Sequence, residues 1–222
     1  MRLSIVRMLR VQVLLLLMLV AALLPAGEPL IGEVGLAELA VRRSAILLVA
    51  GEGTRTVARA DEPDEPSDPK LVRFAVAADG RYDIVLTDPN DPNGERTRFV
   101  CDGRTTWEIS LMAAGEKPLV KQRLATEDLT ARLLACLRLD LVQLRRDYAV
   151  ELVAAADGRR LLHLVPNDPV VAREIARIAL TLDEAGRPTL LVLDEPSGNR
   201  HRLVIAAFRD DPPVEPGWFS GP

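Results

Sequence analysis

Asp102-Gly103, set between two runs of alternating residues, constrains this chain more than any other dipeptide in it. Phe99 and Cys101 alternate with Val100 before it, and Thr105, Trp107, Ile109 and Leu111 alternate with Thr106, Glu108 and Ser110 after it. Period-2 alternation predicts two strands, and Asp-Gly between them predicts a two-residue turn with positive φ at both central positions. The arrangement repeats. Asp79-Gly80 divides Val72, Phe74 and Val76 from Tyr82, Ile84 and Leu86. Asp157-Gly158 divides Tyr148, Val150 and Leu152 from Leu161–Val165, and Asp183–Gly186 divides Ile178, Leu180 and Leu182 from Leu190 and Val192. Ser197-Gly198-Asn199 precedes Arg202–Phe208. With Thr54–Ala60 and Lys117–Leu124, about eleven short strands follow one another, and sequential hairpins of this kind favour a curled meander.

Two segments break the pattern. Val34–Ala50 reads as a helix, with Leu36, Leu39, Ala40, Arg43 and Leu47 on one face and Gly51 and Gly53 as stop signals. Thr126–Arg146 reads as a helix or helix pair, with Leu129, Leu133, Leu137, Leu141 and Leu144 in one stripe. It either covers the core or forms a hydrophobic lid over something the sheet encloses. Asp61–Pro69 and Asp88–Gly94 are loops rich in proline and acids or asparagine. Asp211–Pro222 is too proline-rich for a central strand, and Trp218 and Phe219 are placed to dock it.

Met1–Ala26 has the form of an export signal: Arg2, Arg7 and Arg10, then an almost wholly apolar run over Val11–Leu24, then Pro25-Ala26-Gly27. The run falls short of the roughly 20 residues a spanning helix needs. The expected division is a signal at 1–26 and a single domain at 27–222, in the periplasm. An uncleaved inner-membrane anchor is the alternative. The formal charge of −4 falls by three to −7 without the leader's arginines. An acidic chain of this kind argues against a nucleic-acid partner, which needs a basic stripe.

Cys101 and Cys136 are the only cysteines. They either form one bridge in an oxidising compartment or stand as two buried thiols. His163 and His201 lie on separate strands, and no nucleophile, zinc, dinucleotide or phosphate-loop motif is present. The reading is of a non-enzyme, with no cofactor and no metal.

Four passages resemble the periplasmic outer-membrane lipoprotein carrier family, the LolA-like proteins. RFVCDGRTTWEIS is similar to the family's strand–Asp-Gly–strand with a returning tryptophan. LLHLVPNDP is similar to its strand ending in a proline break, and TLDEAGRPTLLVLDEPSGNRHRLVIAAF to its paired strands. DPPVEPGWFSGP is similar to its closing tail. The likeness implies a mainly β fold with a few helices: an incomplete antiparallel β-barrel of about eleven strands, covered by helices. It also implies a cavity that shields the acyl chains of a lipoprotein on its way to the outer membrane. The implied partners are the acylated lipoprotein cargo, an inner-membrane release transporter and an outer-membrane acceptor. At roughly 0.8 kcal/mol per CH₂, a chain of about fifteen carbons costs on the order of 12 kcal/mol in water, so such a carrier needs a large apolar concavity. The expected cavity wall is Phe74, Tyr82, Phe99, Trp107, Leu133 and Leu137. At the family's lid-latching arginine this chain has Ala78. The rival reading is a non-catalytic envelope sensor or scaffold that uses the same fold to bind a protein or lipid partner.

Overall fold

Alternation with turn residues at every reversal leaves the backbone one inexpensive way to satisfy its hydrogen bonds, and the chain takes it. The computed structural model describes residues 32–91, 94, 96–111, 117–124, 136–154 and 159–222. They belong to one compact unit, Ile31–Pro222. The expected signal at Met1–Ala26, the cavity candidate Leu133 and the Asp157-Gly158 turn lie outside the described residues.

Helix α1 (Glu33–Arg43) comes first, followed by strands β1 (Leu48–Ala58), β2 (Lys70–Ala77), β3 (Tyr82–Thr87), β4 (Arg96–Cys101), β5 (Thr105–Leu111) and β6 (Leu119–Leu124). Helix α2 (Leu141–Asp147) leads into β7 (Tyr148–Ala154), β8 (Arg160–Pro166), a 3-10 turn (Val171–Arg173), β9 (Arg177–Leu182), β10 (Pro188–Asp194) and β11 (Arg200–Asp210). The eleven strands make one antiparallel sheet in the order β6-β5-β4-β3-β2-β1-β11-β10-β9-β8-β7. The incomplete barrel is therefore an open sheet, with β6 and β7 as its edges. It differs from a simple meander at its centre, where the first strand pairs with the last.

Cross-strand partners share a face, and the register identifies the inner one. Val76 lies opposite Tyr82, Tyr82 opposite Cys101, and Phe74 opposite Ile84. On the other half, Leu152 lies opposite Leu162, and Leu162 opposite Leu180. These residues belong to one buried cluster with Leu36 and Leu39 of α1, Leu141 and Leu144 of α2, and Val171. Each fully buried aliphatic side chain contributes about 1.5–3 kcal/mol. Helices thus cover the inner face, as the sequence leads one to expect.

Three local expectations are corrected. First, the helix expected over Val34–Ala50 ends at Arg43, and Leu48 already begins β1. Gly51 and Gly53 are strand residues, not helix stops. A Cβ at Gly51 would lie 2.7 Å from Cζ of Phe74, and one at Gly53 would press into the Val204 carbonyl beside a register shift in the β1–β11 ladder. Glycine is needed where two backbones or a ring approach this closely.

Second, Asp102-Gly103 does not form the primed two-residue turn. Gly103 has a φ of 94°, but Asp102 is not in the positive region. Its Oδ1 instead accepts from the backbone N–H of Arg104 (2.8 Å) and Thr105 (2.9 Å). These bonds hold the Asp102 carboxyl below its ordinary pKa. Third, of the helix or helix pair expected over Thr126–Arg146, residues 126–135 lie outside the described residues, and the remainder is two helical pieces. Residues 136–138 are helical, Leu139 turns left-handed at a φ of 56°, and Asp140 caps α2 by accepting from the Gln143 N–H.

On the outer face the tail docks as expected. Phe219, with Trp218 against it, packs on Leu48, Ala50, Ala75 and Ala77. Arg98 pairs with Asp83 and donates to the Gly217 carbonyl at 2.7 Å, and the Arg81 guanidinium sits 4.9 Å from the Phe219 ring centre. Arg43, spaced with Leu36 and Leu39 on one helical face, is only 4% exposed. It donates to Asp210 at 2.7 Å and lies over the Phe208 ring. Asp210 also accepts from Arg187.

Two outcomes follow from this packing. Gly53→Ala should lower unfolding free energy by about 1–3 kcal/mol in denaturant titration, because the added methyl meets backbone that cannot withdraw. Asp210→Asn should cost about 3 kcal/mol in the same measurement, because it leaves the Arg43 charge buried without its counter-ion.

Candidate functional site

The inner face is not filled from edge to edge. Between β2–β4 on one side and β10–β11 on the other lies a cavity of about 590 Å³. Val72, Phe74, Ile84, Leu86 and Phe99 form one wall, and Leu191, Leu193 and Leu203 the other, with Leu137 and Ile175 adding to the lining. Phe99 and Leu191 stand on strands five places apart in the sheet. At about 4.8 Å per strand they would be far apart on a flat sheet, so curvature brings them to one space.

The expected wall residues divide. Phe74, Phe99 and Leu137 line the cavity. Tyr82 does not: its ring is packed in the core and its hydroxyl donates to Thr106 Oγ1 at 3.2 Å. Trp107 is on the opposite face, beside Val100 in register and against Gly221 of the tail. The lining residues not among the expected wall are Val72, Ile84, Leu86, Ile175, Leu191, Leu193 and Leu203, together with the polar rim. Leu190–Leu193 is continuously apolar, so period-2 reasoning had no way to choose Leu191 and Leu193 over Leu190 and Val192. Ala78, at the position of the family's latch, is exposed on the turn between β2 and β3.

Charged and titratable residues gather at the rim: Arg55, Arg173, Glu174, Glu195, His201 and Arg202. A guanidinium can only donate, so Arg55 Nη2 at 3.0 Å makes His201 Nδ1 the acceptor. His201 Nε2 therefore carries the proton and donates to Glu195 Oε1 at 2.5 Å. Ser197 Oγ and Asn199 Nδ2 donate to the other Glu195 oxygen, at 2.7 and 2.9 Å. Burial pushes the Glu195 carboxyl up, but the hydrogen bonds from Ser197, His201 and Asn199 outweigh it and hold the carboxyl below its ordinary value. Burial lowers Arg55, with Glu195 opposing.

Ser197, His201 and Glu195 are not arranged as a nucleophilic triad. Both the hydroxyl and the imidazole hang on the same carboxylate, whereas activation needs the hydroxyl on the imidazole. Cys101 and Cys136 are free and buried, so the bridge reading gives way to two thiols. Burial pushes Cys136 up to about 12, which leaves it unreactive. Among the described residues there is no cluster of metal ligands, and no helix is long and apolar enough to cross a membrane.

A second depression, of about 600 Å³, lies on the outer face. Arg73, Arg96, Arg98 and Arg209 line it with Glu52, Asp83 and Glu215. Its charge makes it unsuited to apolar cargo.

No family model and no curated protein matches the chain. Solved structures do. A LolA superfamily protein from Nitrosomonas europaea is 15% identical, over 83% of this chain and 96% of that one, with a TM-score of 0.40. Lipoprotein LppX of Mycobacterium tuberculosis is 13% identical over 82% and 96%, with a TM-score of 0.42. LprF of Mycobacterium bovis is 13% identical over 86% and 100%, with a TM-score of 0.40. The LolA superfamily, which the sequence passages resemble, is thus among the matches. At these scores the likeness is loose, and the reading of the site rests on its own geometry.

The rim has a pH signature. A carboxyl whose folded pKa lies below its unfolded one adds stability above the unfolded value, and that stability is lost as pH falls through the folded one. Glu195→Gln should therefore be less stable than wild type at neutral pH. It should also lose less stability on acidification below the ordinary value of 4.5, as read from thermal midpoints across the range.

Proposed function

We propose that this protein is a periplasmic carrier that shields acyl chains in the inner-face cavity, with acylated lipoproteins bound for the outer membrane as cargo. The observation that carries the reading is the cavity itself: an open space walled by aliphatic and phenyl side chains, several of which also belong to the buried inner-face cluster. A methylene is about the size of a water molecule, whose share of liquid volume is roughly 30 Å³. The space then has room for about twenty such groups, the length of one fatty chain. Burying them recovers most of the hydration cost that keeps such chains in membranes. The signal-like Met1–Ala26 supports export. An inner-membrane transporter that loads the carrier and an outer-membrane acceptor that unloads it complete the proposal.

A non-catalytic sensor or scaffold is the second reading. The outer-face depression favours it, because Arg73 and Arg96 make no ion pair there among the described residues and are available to an acidic protein partner.

Mass spectrometry of the purified mature protein should find co-purified acyl chains, and a fluorescent fatty probe should bind and be displaced by them. Leu203→Trp, which adds bulk to one wall, should weaken probe binding roughly tenfold or more while circular dichroism stays unchanged. A lipid-free protein that ignores the probe would sink the carrier reading and leave the sensor.

A further inference from the structure

Arg55 is out of keeping with the wall it stands in. It points inward from β1, in register with Leu203 on β11, which is itself a wall residue. Among the described residues, the hydrogen bond from Nη2 to His201 is the only one its guanidinium donates. Glu195 attracts it electrostatically, but no hydrogen bond joins the two. The Glu195 oxygens are already taken by His201, Ser197 and Asn199. The neutral imidazole thus spaces the carboxylate away from the guanidinium. The other charged lining residues are Arg173, Glu174 and Arg202, and none of them makes an ion pair among the described residues.

A guanidinium remains charged at any physiological pH. It is partly withdrawn from water beside an apolar wall, and its remaining N–H groups are not buried, so they can reach an acceptor brought into the cavity. Its planar fork matches the two oxygens of a carboxylate or phosphate. A cavity meant for hydrocarbon alone would be better served by leucine at this position.

We infer that the cavity takes an anionic amphiphile, its chain along the apolar walls and its carboxylate or phosphate head seated on Arg55. This rests on the acyl-binding proposal and adds to it the chemistry of the head group. Glu174 and Glu195 at the same rim set a limit on the head: it carries few charges and sits on the Arg55 side of His201.

Calorimetric titration of the whole mature protein at neutral pH tests the inference with three probes of equal chain length: hexadecanoate, hexadecyl phosphate and methyl hexadecanoate. Wild type should bind both anions about tenfold more tightly than the ester. Arg55→Met should lose that preference while holding ester affinity, and Arg55→Lys should retain part of it. Acetate and inorganic phosphate should not displace hexadecanoate. Equal binding of acid and ester by wild type overturns the inference, and needs no variant to fold. So does a preference that survives in Arg55→Met, or displacement by inorganic phosphate alone, which would mark a free-anion site. If none of the three probes binds, the acyl-binding proposal itself falls, and the head-group inference falls with it.

Discussion

The pairing of the first strand with the last holds the structure together. β1 and β11 are joined from Val49–Asp210 to Ala58–Arg200, across most of the length of the chain. Without that ladder there are two meanders, β1–β6 and β7–β11, each with one apolar face open to water. With it, the two faces become one concave surface, and the cavity lies astride the join. Closing so long a loop costs entropy before any contact rewards it. The close approaches at Gly51 and Gly53 show how tightly the join is then packed.

Much of this fold was legible because its signals are local. Eleven strands were expected and eleven are found, with the first of them starting earlier than alternation and turn residues place it, and the docking of Trp218 and Phe219 was readable from composition. The β1–β11 pairing was not legible, because no local pattern says which distant edge a strand will meet. The same gap explains the misread start of β1. In isolation, Leu47 continues the helical spacing of Val34–Ala50, and Gly51 and Gly53 after it resemble a stop; only a partner strand turns those glycines into packing requirements. The tryptophan went wrong for a different reason. Between Cys101 and Thr106, which pair, stand four residues, and an even loop sets Phe99 opposite Glu108 and Val100 opposite Trp107. Phe99 and Trp107 cannot then share a face, whatever their bulk suggests.

The site was half visible. Its aromatic and Leu137 contributions came from alternation and a helical stripe, both short-range patterns. Its rim did not, since Arg55 and His201 meet only through the β1–β11 join. A charged residue in a half-apolar strand reads, without its neighbours, as a solvent-facing position. The chemistry of the rim is therefore a product of topology, and residues remote in sequence acquire meaning only once the halves are joined.

The two unpaired edges at β6 and β7 have a mechanical consequence. A closed barrel of given strand number and shear has a set radius, because every ladder bond fixes the next. An open sheet has no such constraint. Its halves can swing about the β1–β11 seam by small changes of twist, with no ladder bond broken. The width between Phe99 and Leu191 is then set by the twist of the strands and by packing at the seam, with no closing ladder to fix it.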